Sequence, residues 1–376
     1  MKNNNQQLQQ IFSKNKLANA GELAAALKIS ELADRATAYS AFRDYQELKS
    51  AATLNAHRLD LAKFAEFINT IYSRSAAADE VDTVSWRLNS DQLYNTPESW
   101  AVVSHGLIKL FKKEMADQGY ALTSINRALS TIRKYASLAM DAGVLDPIAL
   151  AQIKNVTGYR HSEAKNVDEK RSKTRIGRKK EEAVPIPLHV VSELKSSETY
   201  PDTAAGRRDR LTLCLFLDHG LRASEVAGLK IENVDLETQT LTVYRKKTNT
   251  TDLIYMTEDT WDAITLYFEN DALPHPTDPL LLVSNKSGRL SPKPLTRITA
   301  SRLMNRYGKF MAGKHGLPHL TKLSAHDGRH QWATDALEAG TPLNDLQQAG
   351  GWKSPAMPLR YANKSKIANK GVKLNR

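Results

Sequence analysis

His326-Asp327-Gly328-Arg329-His330 opens a stretch that runs through Gly351-Trp352 to Leu359-Arg360-Tyr361. A His and an Arg three residues apart sit about one helical turn from each other, so both heads can face one anion. A helix-like segment follows from Trp332 to Gly340. A second segment comes next, and then a tyrosine in a short basic run, where a nucleophile has freedom to approach. A His-x-x-Arg alone arises by chance in many chains, so its weight depends on whether the rest of the sequence supplies partners.

The chain has 376 residues, enough for roughly two domains with a proper core. Its hydrophobic share of 41% and charged share of 25% are those of an ordinary globular protein. No apolar run approaches the ~20 residues of a membrane span, and Met1 to Gln7 is polar, unlike a signal peptide. The lone Cys214 excludes an intrachain disulfide and reads as a small buried hydrophobe, so a cytoplasmic location is expected. The net charge of +12 points to a polyanionic partner, most simply nucleic acid. Lys165 to Lys180 holds eight Lys or Arg, Arg175 and Arg178 among them, against Asp168 and Glu169. The tail after Trp352 is basic and has no acid. Charge grouped in this way suits a phosphate backbone better than a uniformly solvated face.

Residues 1–34 read as an N-terminal extension with helix formers around Leu17 to Leu27. Residues 35–155 read as an all-helical module. Leu54, Leu61, Phe64, Ile68 and Ile71 share one helical face. A second helix carries Val103, Leu107, Leu110 and Phe111, with Lys109, Lys112 and Lys113 beside that face. A third starts at Thr123 as N-cap, buries Ile125, Leu129, Ile132 and Ala136, and stops at Gly143. Its polar side offers Asn126, Arg127, Arg133 and Lys134. Lys109, Lys112, Arg127, Arg133, Lys134, Arg175 and Arg178 are the candidate DNA contacts, with simple solvation as the bland alternative. Residues 156–184 read as a basic interdomain linker.

From 185 to 376 the pattern is mixed. Arg208 to Asp218 forms an apolar helix closed by His219-Gly220, and Gly220-Leu221-Arg222-Ala223-Ser224-Glu225 is a turn feeding a short helix. Arg222 thus sits near a helix N-terminus, where free N–H groups already favour an anion. Leu241 to Arg245 alternates as a strand, with Asp252 to Met256 as its hairpin partner. A lysine at the tip between them, Lys246 or Lys247, can swing toward a phosphate and away again.

Arg222, a hairpin lysine, His326, Arg329, Trp352 and Tyr361 form a set that resembles the tyrosine recombinase (phage integrase) family. Gly220 to Glu225 is similar to the family's Gly-Leu-Arg-x-Ser-Glu. His326 to His330 is similar to His-Asp-Leu-Arg-His, with Gly328 replacing Leu. Gly351-Trp352 stands where the family has Gly-His or Gly-Trp, with the tyrosine nine positions on. The run Gln348 to Trp352 looks most like the Cre branch, and residues 35–155 resemble the family's core-binding domain. The resemblance implies a mainly α fold with a small antiparallel sheet in the C-terminal domain, arranged as a two-domain C-shaped DNA clamp. It also implies a site-specific recombinase that cleaves and rejoins DNA through a 3′-phosphotyrosine, integrating or excising a mobile element.

The residues could do such chemistry unaided. Two arginines offer planar forks to the non-bridging oxygens of a pentavalent phosphorane, and pre-placed positive charge lowers the barrier without metal. By the family's mechanism Tyr361 attacks, Lys247 protonates the leaving 5′-oxygen, and His326 assists proton transfer at the tyrosine. Trp352 positions the phosphate, and Glu225 holds the surrounding structure. Aligning Asp252 to Met256 with the family's second strand selects Lys247 over Lys246. No metal or other cofactor is implied. His326 and His330 have a zinc-compatible i,i+4 spacing, but Arg329 between them and the lack of a Glu after His326 argue for a supporting or packing role for His330. The implied partners are double-stranded DNA, further copies of the chain (a homotetramer on paired sites, monomers or dimers before) and accessory directionality proteins; no membrane is implied.

Competing readings remain. Arg222 could be a helix-start salt bridge with Glu225, Trp352 plain core, and Tyr361 a surface residue. A type IB topoisomerase-like activity and a catalytically silent DNA-binding regulator are the alternative functions. Gly328 is expected to loosen its helix start, Pro358 to open the helix bearing Tyr361 as its first residue, and Gly350 to replace a usual Leu.

Overall fold

The computed structural model describes residues 20–77, 87–160, 163 and 183–362, the side chains of 20–23, 35, 39, 77 and 360–362 excepted. The chain divides into two compact units, Met1–Lys179 and Lys180–Arg376. It is mainly helical with small antiparallel sheets. No described helix is long and apolar enough to cross a membrane.

The first unit holds α1 (Ala20–Glu47), α2 (Ala51–Ala77), α3 (Ser90–Asn95), α4 (His105–Asp117), α5 (Leu122–Asp141) and α6 (Pro147–Lys154). Helix α1 is continuous across position 34, where the sequence suggested a boundary. Its described side chains up to Asp34 are exposed, so among the described residues of this unit nothing covers that half. The periodic faces behave as expected on α2 and α5: Leu61, Phe64, Ile68, Ile125, Leu129, Ile132 and Ala136 are all buried. Each such Leu, Ile or Phe removed from water contributes about 1.5–3 kcal/mol.

Two local expectations fail. Helix α5 begins at Leu122 with Ala121 as N-cap, whose carbonyl receives the Ser124 and Ile125 N–H groups; Thr123 lies inside the first turn and is exposed. On α4 the buried face is Ile108, Phe111 and Met115, at i, i+3 and i+7, which leaves Leu110 51% exposed. Phe111 sits against Phe64 and Phe67 at ring separations of 5.1 and 5.5 Å, and that contact sets the helix rotation.

Asp60 is buried in this unit, where Arg127 forks onto its carboxylate (2.8 and 3.0 Å) and the Thr131 hydroxyl donates to it (3.0 Å). Arg127→Ala would leave that carboxylate with one neutral donor. The variant is expected to lose about 2 kcal/mol, discounted for Arg127 being half exposed, whereas Lys109→Ala on the open face should change stability by less than about 0.5 kcal/mol. Thermal unfolding of the two variants checks this, and equal melting temperatures would refute it.

The second unit is built around α8 (Ala204–Leu217), nearly every residue of which is buried from Leu211 to Leu217. Around it pack α7 (Leu188–Lys195), α10 (Glu258–Asn270), α11 (Arg297–His315) and α12 (Ala325–Glu338). Cys214 lies in this core, and burial pushes its thiol pKa far up. Strands β1 (Val234–Asp235), β2 (Thr240–Arg245) and β3 (Thr250–Tyr255) form one antiparallel sheet in sequence order; β4 (Leu282–Ser284) and β5 (Leu290–Pro294) form another. The β2–β3 register pairs Thr240 with Tyr255 and Arg245 with Thr250, so Lys246 to Asn249 make the hairpin tip. Short helices α9 (Ala223–Val226), α13 (Leu343–Ala349) and α14 (Ala356–Ala362) complete the unit.

Candidate active site

Helix α8 ends at Leu217, and the chain turns at Gly220 with φ +57°. A Cβ there would lie 2.2 Å from the Trp332 ring, so both the left-handed backbone and the packing call for glycine. The turn delivers Arg222 as the N-cap residue of α9. Glu225 receives the Arg222 backbone N–H (2.8 Å) and its guanidinium (2.5 Å). The salt bridge weighed against a catalytic role is therefore present. It orients Arg222, which stays a quarter exposed while Glu225 is buried.

Helix α12 starts at Ala325, seven residues before the expected Trp332, and so carries His326, Arg329 and His330 in its first two turns. Asp327 caps it by accepting from the Ser324 N–H and hydroxyl (both 2.7 Å). It also accepts from the Val184 N–H (3.0 Å), while Gln331 accepts from the Ile186 N–H (2.9 Å), so α12 is tied to the first segment of its own unit. The imidazoles of His326 and His330 meet with Nε2 atoms 3.1 Å apart, which gives His330 a supporting place beside His326. Gly328 does not loosen the helix. Its missing side chain lets α12 close on α8, because a Cβ would come to 3.2 Å from both Phe216 and Met304.

Arg329 is buried. It donates to the Gly220 carbonyl (2.6 Å) and the Gly350 carbonyl (2.5 Å), and its guanidinium lies 4.4 Å from the centre of the Trp352 ring. Trp352 is itself buried, on Ala333 and Leu346 beside Trp332. Its ring explains Gly350, where any Cβ would lie 2.2 Å from it. Helix α14 packs on α12. It starts at Ala356, so Pro358 is its third residue rather than its first. Pro358 still costs no hydrogen bond there, because N–H groups of the first turn have no helical partner. The Tyr361 backbone is in the last turn of α14; its side chain lies outside the described residues. Lys246 and Lys247 are both exposed at the hairpin tip.

Comparison with known proteins adds to this geometry. The model described as Phage integrase family matches residues 190–367. A Sinorhizobium fredii protein named for an integrase/recombinase, y4gC, is 30% identical over 159 residues, 42% of this chain and 78% of that protein. The chain belongs to the phage integrase family. The tyrosine recombinase XerC of Syntrophus aciditrophicus is 28% identical over 169 residues, and the chain spans about half (51%) of its length. Among solved structures, the Tn1549 transposon integrase in complex with transposon right end DNA superposes with a TM-score of 0.53 at 17% identity. It covers 80% of this chain and 94% of that one, a likeness of fold.

Within this family member, sequence reasoning missed Arg245. It is fully buried at the end of β2, donating to Glu225 (3.3 Å), the Ala349 carbonyl (2.6 Å) and Asp252. Gly351, with φ +57°, carries no side chain because a Cβ would sit 2.3 Å from Arg245 Cδ. The signal that could have found it is the strand's inward alternation, Leu241, Val243, Arg245, which places it on the core face.

The DNA-contact candidates separate. Lys109 and Lys134 are exposed, the latter 4.7 Å over the Tyr45 ring. Lys112 donates to the Thr157 carbonyl (2.8 Å), Arg133 to the Leu129 carbonyl (3.2 Å), and Arg127 is held by Asp60. Arg175 and Arg178 lie outside the described residues. Among the described residues no cluster of three or more His, Cys, Asp or Glu could hold a metal.

His219, just ahead of the Gly220 turn, is buried against Thr260 (3.0 Å), and burial lowers its pKa to about 4. An unfolded histidine titrates near 6.5. Between those values the unfolded chain binds the proton and the folded chain does not, so stability present above pH 6.5 falls as pH drops toward 4. The loss should reach about 3 kcal/mol. Hydrogen-exchange protection of the α8 amides, corrected for intrinsic rate, should shrink from pH 7 to 4.5. His219→Gln should flatten that dependence, and an unchanged slope in the variant would refute it.

Proposed function

We propose that the protein is a site-specific DNA recombinase, acting in the cytoplasm on double-stranded DNA through a 3′-phosphotyrosine intermediate. The observation that carries this reading is two runs of hydrogen bonds that join α9, the β2–β3 hairpin, α12 and the turn after α13. Arg222 is held by Glu225, Glu225 by Arg245, and Arg245 by Ala349. Arg329 ties the Gly220 turn to Gly350, two residues before Trp352. Elements more than a hundred residues apart are thereby locked together, which suits a rigid, positively charged phosphate site.

In this reading Arg222 and Arg329 stabilise the charge of the phosphorane. The Tyr361 phenol loses its proton with help from His326. A bond forms between its oxygen and phosphorus, the bond to the 5′-oxygen breaks, and Lys247 supplies the proton to that oxygen. The ester conserves bond energy, so a 5′-hydroxyl from another strand can reverse the step. Exchange of two duplexes needs four cleavages, so a homotetramer on paired sites is the proposed active species. Lys109 and Lys134, the exposed candidates, would contact the DNA backbone from the first unit.

The test is an SDS-stable adduct assay. The protein is incubated with DNA flanking its own gene, nicked near candidate sites to trap the intermediate. A 3′-linked adduct supports the reading and maps the scissile phosphate. Tight binding without adduct would instead make the protein a silent DNA-binding regulator.

A further inference from the structure

We infer that Arg245 is a positioning residue that holds the Lys247 hairpin in register with the two arginines, so that the leaving oxygen is protonated where the phosphate is bound. The inference rests on the proposed recombinase reading and deepens it.

An arginine with no exposed surface is costly unless each part of it is satisfied. Here the three donor positions of one guanidinium go to three separate elements: Nε to Asp252 on β3, Nη1 to Glu225 on α9, and Nη2 to the Ala349 carbonyl at the end of α13. Asp252 is the diagonal neighbour of Arg245 on the same face of the hairpin, since Arg245 pairs with Thr250. That bond clamps both strands just below the tip, two residues from Lys247. Glu225 uses its other oxygen on the Arg222 guanidinium, so a single carboxylate joins the hairpin to a phosphate-binding arginine. Ala349 precedes the Gly350 carbonyl that holds Arg329. The Arg245 stem also fills the space a Cβ of Gly351 would occupy, which fixes the turn before Trp352.

A planar fork is required for this, because a lysine ammonium is a point charge that cannot reach three directions in one plane. Arg245→Lys therefore keeps the charge and loses the clamp. The lysine tip itself is exposed, so its position over the phosphate depends on the strands below it.

The experiment uses single-turnover adduct formation by the full chain at the mapped site, on two substrates. One has an ordinary scissile phosphodiester and the other a 5′-bridging phosphorothiolate. The thiolate leaves without needing a proton, so it bypasses a misplaced general acid but not a misplaced arginine. Arg245→Lys is expected to bind DNA within about twofold of the unsubstituted protein and to cleave the oxygen substrate tenfold or more slowly, about the penalty of an ångström-scale misplacement. On the sulfur substrate it should come within about threefold, as Lys247→Ala does and Arg222→Ala does not. A deficit equal on both substrates would mean that Arg245 serves only the general fold or the arginines, and no deficit would mean that it positions nothing; either overturns the inference. Failure of the unsubstituted protein to form adduct on either substrate would refute the recombinase reading itself.

Discussion

Tyr361→Phe is expected to bind DNA as the unsubstituted protein does and to form no covalent adduct, a loss of at least about 10⁴-fold in cleavage. The substitution removes one oxygen from a side chain on the last turn of α14, a helix that packs on α12 and buries Pro358. Fold and affinity should thus survive while the nucleophile is lost. The assay reads gel-shift affinity and SDS-stable adduct on the same nicked duplex. An adduct that persists in the variant would place the nucleophile on another residue, and a matched loss of binding would make Tyr361 structural.

Arg329→Lys should have the second largest effect, and on two observables. The guanidinium donates to the Gly220 and Gly350 carbonyls and lies over the Trp352 ring, all in a site closed to water. A lysine can satisfy at most one of those carbonyls well, leaving the other buried without its donor at a cost of about 1–3 kcal/mol. Cleavage should fall about 10³-fold, beyond what the stability loss explains, because an oxyanion then loses a fixed fork. Thermal unfolding and adduct rate measured on the same preparation separate the two effects. A lower melting temperature with an unchanged cleavage rate would confine Arg329 to packing. Arg222→Lys provides the contrast: Arg222 is a quarter exposed, so its loss should slow cleavage with a smaller change in stability.

Much of the site was legible in the sequence because its chemistry is carried by short-range spacing. His326, Arg329 and His330 share a face at i, i+3 and i+4 on one helix, and that face exists wherever the helix begins. The two hairpin strands followed from alternation, though not their register, and the core faces of α2 and α5 from helical periodicity. What misled the local reading was rotation and packing. Leu110 looked apolar enough to be core, yet Phe111 meeting Phe64 and Phe67 turned it outward. Gly328 looked like a weakness and Gly350 like a departure from a usual Leu, yet a Cβ at Gly328 would crowd Phe216 on α8 at 3.2 Å and one at Gly350 would clash with the Trp352 ring at 2.2 Å.

The amino-acid sequence by itself determined the fold class and the helical and hairpin segments, since each depends on residues a turn or a strand apart. Only the tertiary structure decided which cations pair with distant groups of the protein. Arg245 read as the last residue of a strand and proved to be buried, with its guanidinium on Asp252, Glu225 and the Ala349 carbonyl. Arg127 read as a DNA contact and proved to be the partner of Asp60. A guanidinium carries the same charge in both settings. Its role is set by carboxylates and carbonyls that lie far off in sequence, 67 positions away for Asp60 and 104 for Ala349, and no local pattern encodes those distances.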